Sequence, residues 1–190
     1  MLSVPLGQTH RAVTLGGQTL DAASVIRFWQ AARAQDLDIC IDGGWAVDAL
    51  LGRQTRVHDD LDIALPADRV PGLSALLAAD GFRIVDRPDS WEHNFVLEDA
   101  TGRCIDVHSY TLNDDGTNAD GVPYEAQHLT GQGLILGHRI RCVPPEWLVQ
   151  FHTGYEIDEN DWHDVRRLCQ KYNIDIPEAY EKFVMQGGPS

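Results

Sequence analysis

Apolar residues recur along this chain with two different periods, and the changes between them predict a mixture of helices and strands. Apolar positions three and four apart predict helices over 20–34, 45–51, 68–79, 145–155 and 160–172. Alternating or short continuous apolar runs predict strands over 38–41, 60–65, 82–85, 94–98 and 103–110, a polar loop over 112–124 and a hairpin over 133–143. The pattern predicts an α+β fold, a mixed β-sheet flanked by helices with a more helical C-terminal part.

The composition indicates one domain, with or without a small second lobe, that needs no cross-links. A chain of 190 residues buries enough surface to form its own core. Its four cysteines lack C-x-x-C spacing, so we expect reduced core cysteines rather than a zinc site. No apolar run is long enough for a membrane span, and the N-terminus lacks a signal-peptide pattern. We therefore expect a cytoplasmic protein with no membrane partner.

The net charge of −14 is unevenly distributed. Up to Val57 five arginines balance five aspartates, whereas the remainder carries ten basic and 24 acidic residues. This distribution argues against a nucleic acid as partner. The acidic excess serves solubility or attracts a cationic small molecule, and the composition leaves both interpretations open.

The segment 42–63, which reads DGGWAVDALLGRQTRVHDDLDI, carries the first candidate chemistry. Gly43 and Gly44 follow an apolar strand and precede a helix, and backbone N–H groups at such a helix N-terminus favour phosphate. Asp60 and Asp62 are two residues apart on a strand, so their side chains leave the same face about 6–7 Å apart. Both carboxylates can then reach one divalent cation, which explains why aspartate occurs in a strand at all.

Asp106 is a third carboxylate on a later strand. If that strand pairs with the one carrying Asp60 and Asp62, three carboxylates converge on one face and repel one another unless cations bind. Asp106 could also take the proton from an attacking hydroxyl.

Two further residues precede the second strand. Arg56 and His58 are either part of a solvated loop or neutralise a leaving pyrophosphate, and the sequence leaves both open. Asp48 either braces this site or caps a helix.

His152 and His163 lie near an acidic run, but their spacing does not predict a metal site there, and Glu156 or Asp158 could instead pair with a substrate amine.

These motifs together resemble the nucleotidyltransferase superfamily that includes DNA polymerase β. The stretches GGWAVDA (43–49) and HDDLD (58–62) are similar to those of the aminoglycoside 2''-nucleotidyltransferases. The small lincosamide nucleotidyltransferases resemble the chain more closely, through IDVH (105–108) with LNDDG (112–116), IRC (140–142) and FHTGYE (151–156). The similarity covers roughly residues 20–172. It departs at Gly44, where many relatives have serine, so the backbone alone would contact phosphate there.

The resemblance implies site roles: Asp60 and Asp62 bind Mg²⁺, Asp106 is the third carboxylate and general base, and Gly43 and Gly44 hold the triphosphate. It implies transfer of AMP from ATP to a hydroxyl of a cationic antibiotic, with a lincosamide favoured. We accordingly divide the chain into a flexible N-terminal extension (1–19), a nucleotidyltransferase core (20–143) and a helical region contributing to the acceptor pocket (144–190). A homodimer is compatible with the resemblance.

Three alternatives are kept. The first is an aminoglycoside 2''-type adenylyltransferase, and the second is a toxin-type nucleotidyltransferase acting on protein or tRNA. The third is a nucleotide-binding module without catalysis. The charge argues against tRNA, and a clustered set of three carboxylates argues against a module that has no chemistry to perform.

Overall fold

A mixed sheet forms the centre of the computed structural model, which describes residues 19–186. Its strands within this range are β1 (Cys40–Ile41), β2 (Asp60–Pro66), β3 (Arg83–Val85), β4 (Asn94–Glu98), β5 (Cys104–Leu112), β6 (Asn118–Gly121), β7 (Gly131–Ile135) and β8 (His138–Cys142). They lie in the order β3-β4-β5-β2-β1-β8-β7, and β6 pairs with the end of β5 outside this row. Strand β2 is parallel to β5 and antiparallel to β1.

Helices of various lengths flank the sheet. They are α1 (Ala22–Ala34), α2 (Gly43–Leu51), α3 (Val70–Ala79), α4 (Pro145–Phe151), α5 (Glu159–Tyr172) and α6 (Glu181–Gln186). Asp21 begins α1 by accepting a hydrogen bond from the Ser24 N–H, and Asp158 begins α5 in the same way. Such caps satisfy N–H groups that the first helical turn leaves unpaired.

Helix α2 lies in the middle of the core, since every residue from Trp45 to Leu50 is buried. It packs on β7, on β2 and on α5. From α5, Lys171 Nζ and Tyr172 Oη both donate hydrogen bonds to the Leu50 carbonyl, at 2.7 and 2.9 Å. Helix α5 is thereby fixed to the helix whose first residues are Gly43 and Gly44.

The predicted α+β class and the mixed sheet are confirmed, but two predicted elements are wrong. The polar loop over 112–124 contains strand β6, which pairs antiparallel with β5. The helix predicted over 145–155 ends at Phe151, because the Thr153 backbone N–H and hydroxyl both donate to the Gln150 carbonyl and end the helical bonding pattern.

The predicted N-terminal extension and domain boundaries have the following relation to the described residues. Apart from Thr19, the predicted extension 1–19 lies outside the described residues, as do residues 187–190. The division into 20–143 and 144–190 stays a prediction. No helix within residues 19–186 is long and apolar enough to cross a membrane.

Candidate active site

Three carboxylates lie on one face of the sheet, where β2 and β5 run side by side. The parallel register pairs Asp62 with Asp106, and Asp60 lies two residues before Asp62 on the same strand. Side chains two residues apart on a strand leave the same face, so all three carboxylates face the same way. The structure therefore brings together the three carboxylates that the sequence singled out.

The carboxylates are poorly satisfied by the protein itself. Burial and the neighbouring negative charges of Asp106 and Asp59 raise the pKa of Asp60 to about 6. Burial, followed by Asp60 and Asp106, raises the pKa of Asp62 well above its ordinary value. The Oδ1 atoms of Asp62 and Asp106 are buried and accept no hydrogen bond from any described residue. Unpaired buried carboxylate oxygens are costly, and an oxygen-preferring divalent cation is a group that would satisfy them.

His108 belongs to the same cluster. It follows Asp106 by two residues on β5, and its Nε2 lies 3.5 Å from Asp106 Oδ1. One ligand atom each from Asp62, Asp106 and His108 lies within 4.8 Å of the other two. Although burial opposes it, attraction to Asp106 raises the pKa of His108 to about 9. Sequence reasoning assigned His108 no role, although the strand alternation already placed it beside Asp106.

The Gly43-Gly44 turn touches the carboxylates directly. Asp42 begins α2 and accepts a hydrogen bond from the Gly43 N–H at 2.8 Å. Gly43 has a φ of +56°, and a Cβ added there would lie 2.0 Å from Asp62 Oδ2. A Cβ added to Gly44 would lie 2.5 Å from Arg56 Nη2. Both positions therefore exclude a side chain, and the turn lies between the carboxylates and the loop that carries Arg56.

Asp48 of α2 holds the loop over 53–58 in place. Asp48 Oδ1 accepts hydrogen bonds from the Thr55 N–H at 2.9 Å and the Thr55 hydroxyl at 2.6 Å, and Asp48 Oδ2 lies 2.5 Å from His58 Nε2. Asp48 thus braces the site and does not cap a helix. His58 is only 2 % exposed and packs on Trp45, and its Nδ1 faces the glycine turn, since a Cβ added to Gly44 would lie 2.4 Å from it.

Tyr124 connects three parts of the site. Its hydroxyl donates to Asp42 Oδ2 and lies 3.2 Å from His108 Nδ1. Its ring packs edge-on against Tyr110 and Phe151. No signal in the sequence pointed to Tyr124, because it is the last residue of the stretch over 112–124 that was predicted to be a polar loop.

The acidic segment over 156–164 is mostly engaged in structure. Asp158 caps α5, Asp161 accepts from the Tyr155 hydroxyl and the Asp158 N–H, and Asp164 pairs with Arg56. Burial, followed by the charge of Asp161, raises the pKa of Tyr155, which immediately precedes this segment. His152 and His163 contact the Leu148 carbonyl and the Thr55 hydroxyl, so the structure uses both side chains in packing.

Comparison with known proteins identifies relatives of this arrangement. A family model described as aminoglycoside-2''-adenylyltransferase matches residues 24–168. A lincosamide resistance protein from Staphylococcus haemolyticus is 32% identical over 135 residues, which cover 67% of this chain and 81% of that protein. A 2''-aminoglycoside nucleotidyltransferase from Escherichia coli is 29% identical over 146 residues, which cover 76% of this chain and 80% of that protein.

Two solved structures share the fold. The lincosamide antibiotic adenylyltransferase LnuA, bound to lincomycin, has a TM-score of 0.70 at 23% identity and covers 83% of this chain and 100% of its own. ANT(2'')-Ia in complex with adenylyl-2''-tobramycin has a TM-score of 0.69 at 23% identity and covers 87% of this chain and 97% of its own.

The sheet with its facing carboxylates and glycine turn, together with the family match and the named relatives, shows that the protein is a nucleotidyltransferase. The family match covers most of the sequence, and the chain belongs to the aminoglycoside-2''-adenylyltransferase family. The resemblance inferred from the motifs is confirmed, and so is the prediction of an enzyme. The alternative of a nucleotide-binding module without catalysis is wrong.

Proposed function

We propose that this protein transfers AMP from ATP to a hydroxyl group of an antibiotic, with a lincosamide as the preferred acceptor, and thereby confers resistance. The observation that carries the proposal is the pairing of Asp62 with Asp106 on parallel strands, next to a glycine turn at a helix N-terminus. Such a site places carboxylates beside a position suited to phosphate.

Asp60, Asp62 and Asp106 are the residues that would hold Mg²⁺. The fit is supported by the two buried Oδ1 atoms that accept no hydrogen bond from any described residue, and by the carboxylate oxygens of all three side chains. When bound, a divalent cation polarises phosphate oxygens and offsets the charge that develops in the transition state. His108 would lie beside these three ligands, since its Nε2 contacts Asp106.

Asp106 is the proposed general base. Its carboxylate takes the proton from the acceptor hydroxyl, whose oxygen then forms a bond to the α-phosphorus of ATP while the bond to pyrophosphate breaks. Gly43 and Gly44 would hold the triphosphate at the start of α2. Gly44 would contact it through its backbone N–H, and Gly43, whose N–H donates to Asp42, would make room for it by having no side chain. Arg56, next to Gly44, would neutralise the leaving pyrophosphate, whereas His58 would act by holding the loop in place.

The proposed preference for a lincosamide is supported by the number of acidic side chains that are already engaged. Aminoglycosides carry several ammonium groups, whereas lincosamides carry a single amine, so a pocket for the former needs more free carboxylates. In the segment over 156–164, Asp158, Asp161 and Asp164 are already engaged in a helix cap, a tyrosine contact and an ion pair. This favours an acceptor of low charge, in agreement with the 32% identical lincosamide resistance protein.

An aminoglycoside remains the second candidate acceptor, because the family model and the Escherichia coli relative carry that name. The test incubates the protein with ATP and magnesium, adds lincomycin or tobramycin, and measures pyrophosphate release. Release with lincomycin alone supports the proposal, and release with tobramycin alone selects the second candidate. Turnover with neither drug, in a preparation that binds ATP, contradicts an antibiotic acceptor of these two classes and favours a protein acceptor.

A further inference from the structure

A two-point ion pair joins the loop beside the glycine turn to a helix far along the chain. Arg56 Nε donates to Asp164 Oδ1 at 3.2 Å, and Arg56 Nη2 donates to Asp164 Oδ2 at 2.7 Å. Asp164 lies on α5 with its side chain 1% exposed. Within residues 19–186, Arg56 is the only side chain that hydrogen-bonds to this carboxylate. An almost fully buried carboxylate with one cationic partner holds that partner in one orientation.

The Arg56 guanidinium has N–H groups left to donate to a ligand even while Asp164 holds it. It has five N–H bonds, of which Nε and one on Nη2 go to Asp164 and one on Nη1 goes to the Val57 carbonyl at 3.2 Å. One N–H therefore remains on each terminal nitrogen. Nη2 lies so close to Gly44 that a Cβ there would approach it to 2.5 Å. The remaining donor on Nη2 thus borders the turn.

The backbone of the loop does not depend on Asp164. Asp48 already holds it through the Thr55 N–H, the Thr55 hydroxyl and His58. His163 adds a contact of 3.1 Å to the Thr55 hydroxyl. Asp164 therefore orients the Arg56 side chain, whereas Asp48 and His163 hold the loop in position.

We infer that Asp164 is a positioning residue for the nucleotide: it aims the Arg56 guanidinium at the triphosphate beside the Gly43-Gly44 turn. The inference rests on the proposed function, because it takes ATP as the ligand of that turn. Since Gly44 has no side chain to contact a phosphate, the held guanidinium supplies a charged side-chain donor at this point. The pair also couples nucleotide binding to α5, in the part of the chain proposed to contribute to the acceptor pocket.

The test measures the affinity of the full chain for ATP and for pyrophosphate by calorimetry in magnesium buffer. Asp164→Asn is expected to weaken both about tenfold, because the guanidinium loses its charged partner and turns away. Glu159→Gln is the matched control: it removes the same charge from the same helix at an exposed position, and both affinities should stay within about twofold. Unchanged affinities in Asp164→Asn would overturn the inference.

A double-variant cycle separates positioning from a general loss of structure. In Arg56→Gln the guanidinium is absent, so adding Asp164→Asn should weaken ATP binding no further, even if either single change lowers the melting temperature. Additive losses would show that Asp164 acts on the fold alone and would contradict the inference. If the wild-type chain itself binds no ATP, the proposed function and the inference both fail, whereas tight wild-type binding with additive losses removes only the role of Asp164.

Discussion

Replacing Asp60 with asparagine should stabilise the protein in the absence of metal while it damages the site. The pKa of Asp60 is raised to about 6 from an ordinary 3.8, first by burial and then by the charges of Asp106 and Asp59. Because the folded state holds the proton more tightly than the unfolded chain, this group favours folding below about pH 4. That contribution is lost as the pH rises through about 6.

The size of the effect follows from the shift. A difference of about two pKa units corresponds to about 3 kcal/mol of folding free energy that ionised Asp60 costs at pH 7.5. Asparagine carries no charge at any pH, so the substitution should recover up to this amount. For a chain of this size each kcal/mol changes the melting temperature by roughly 2–4 °C, and we expect a rise of up to about 10 °C.

The assay is thermal unfolding of metal-free protein at pH 7.5 and at pH 4, followed by a magnesium titration at pH 7.5. The advantage of Asp60→Asn over the wild type should shrink at pH 4, and magnesium should stabilise the wild type more than the variant. Asp59→Asn, at the exposed neighbouring position, is the control and should raise the melting temperature less. A variant no more stable than the wild type at pH 7.5, or equally favoured at both pH values, would refute the reasoning.

Two further substitutions test the glycine turn at Gly43 and the proposed general base Asp106. Gly43→Ala should abolish most activity and cost about 1–3 kcal/mol of stability, because its Cβ meets Asp62 Oδ2 at a φ of +56°. In Gly52→Ala, whose φ is +77° in open space, only the backbone cost of about 1–2 kcal/mol should appear in thermal unfolding and activity should persist. Asp106→Asn should slow pyrophosphate release about 10²- to 10⁴-fold while ATP binding measured by calorimetry persists. Full activity in that variant would remove Asp106 from the mechanism.

Local patterns predicted much of the catalytic strand pair. The spacing of Asp60 and Asp62 and the alternation around Asp106 were enough to expect three carboxylates on one face, given that the two strands pair. The pairing itself, with Asp62 opposite Asp106, depends on sheet order across many residues, which single-strand patterns do not determine.

Contacts distant in sequence were the ones that sequence reasoning missed. Asp164 meets Arg56 across 108 residues, and Tyr124 meets Asp42 across 82. Asp164 lies in an acidic stretch that looks solvated in the sequence, but it is buried on α5, which packs on α2 and α4. The contact between Asp48 and His58 was missed in the same way, and the predicted role of His58 toward a leaving pyrophosphate stays a prediction.

The most direct test of the account is the product formed from ATP and lincomycin in the presence of magnesium, analysed by mass spectrometry. The account predicts a lincomycin molecule that has gained one adenylyl group on a hydroxyl, with one pyrophosphate released for each product. Unmodified lincomycin after prolonged incubation with enzyme that binds ATP, or an adenylyl group found on tobramycin alone, would contradict it.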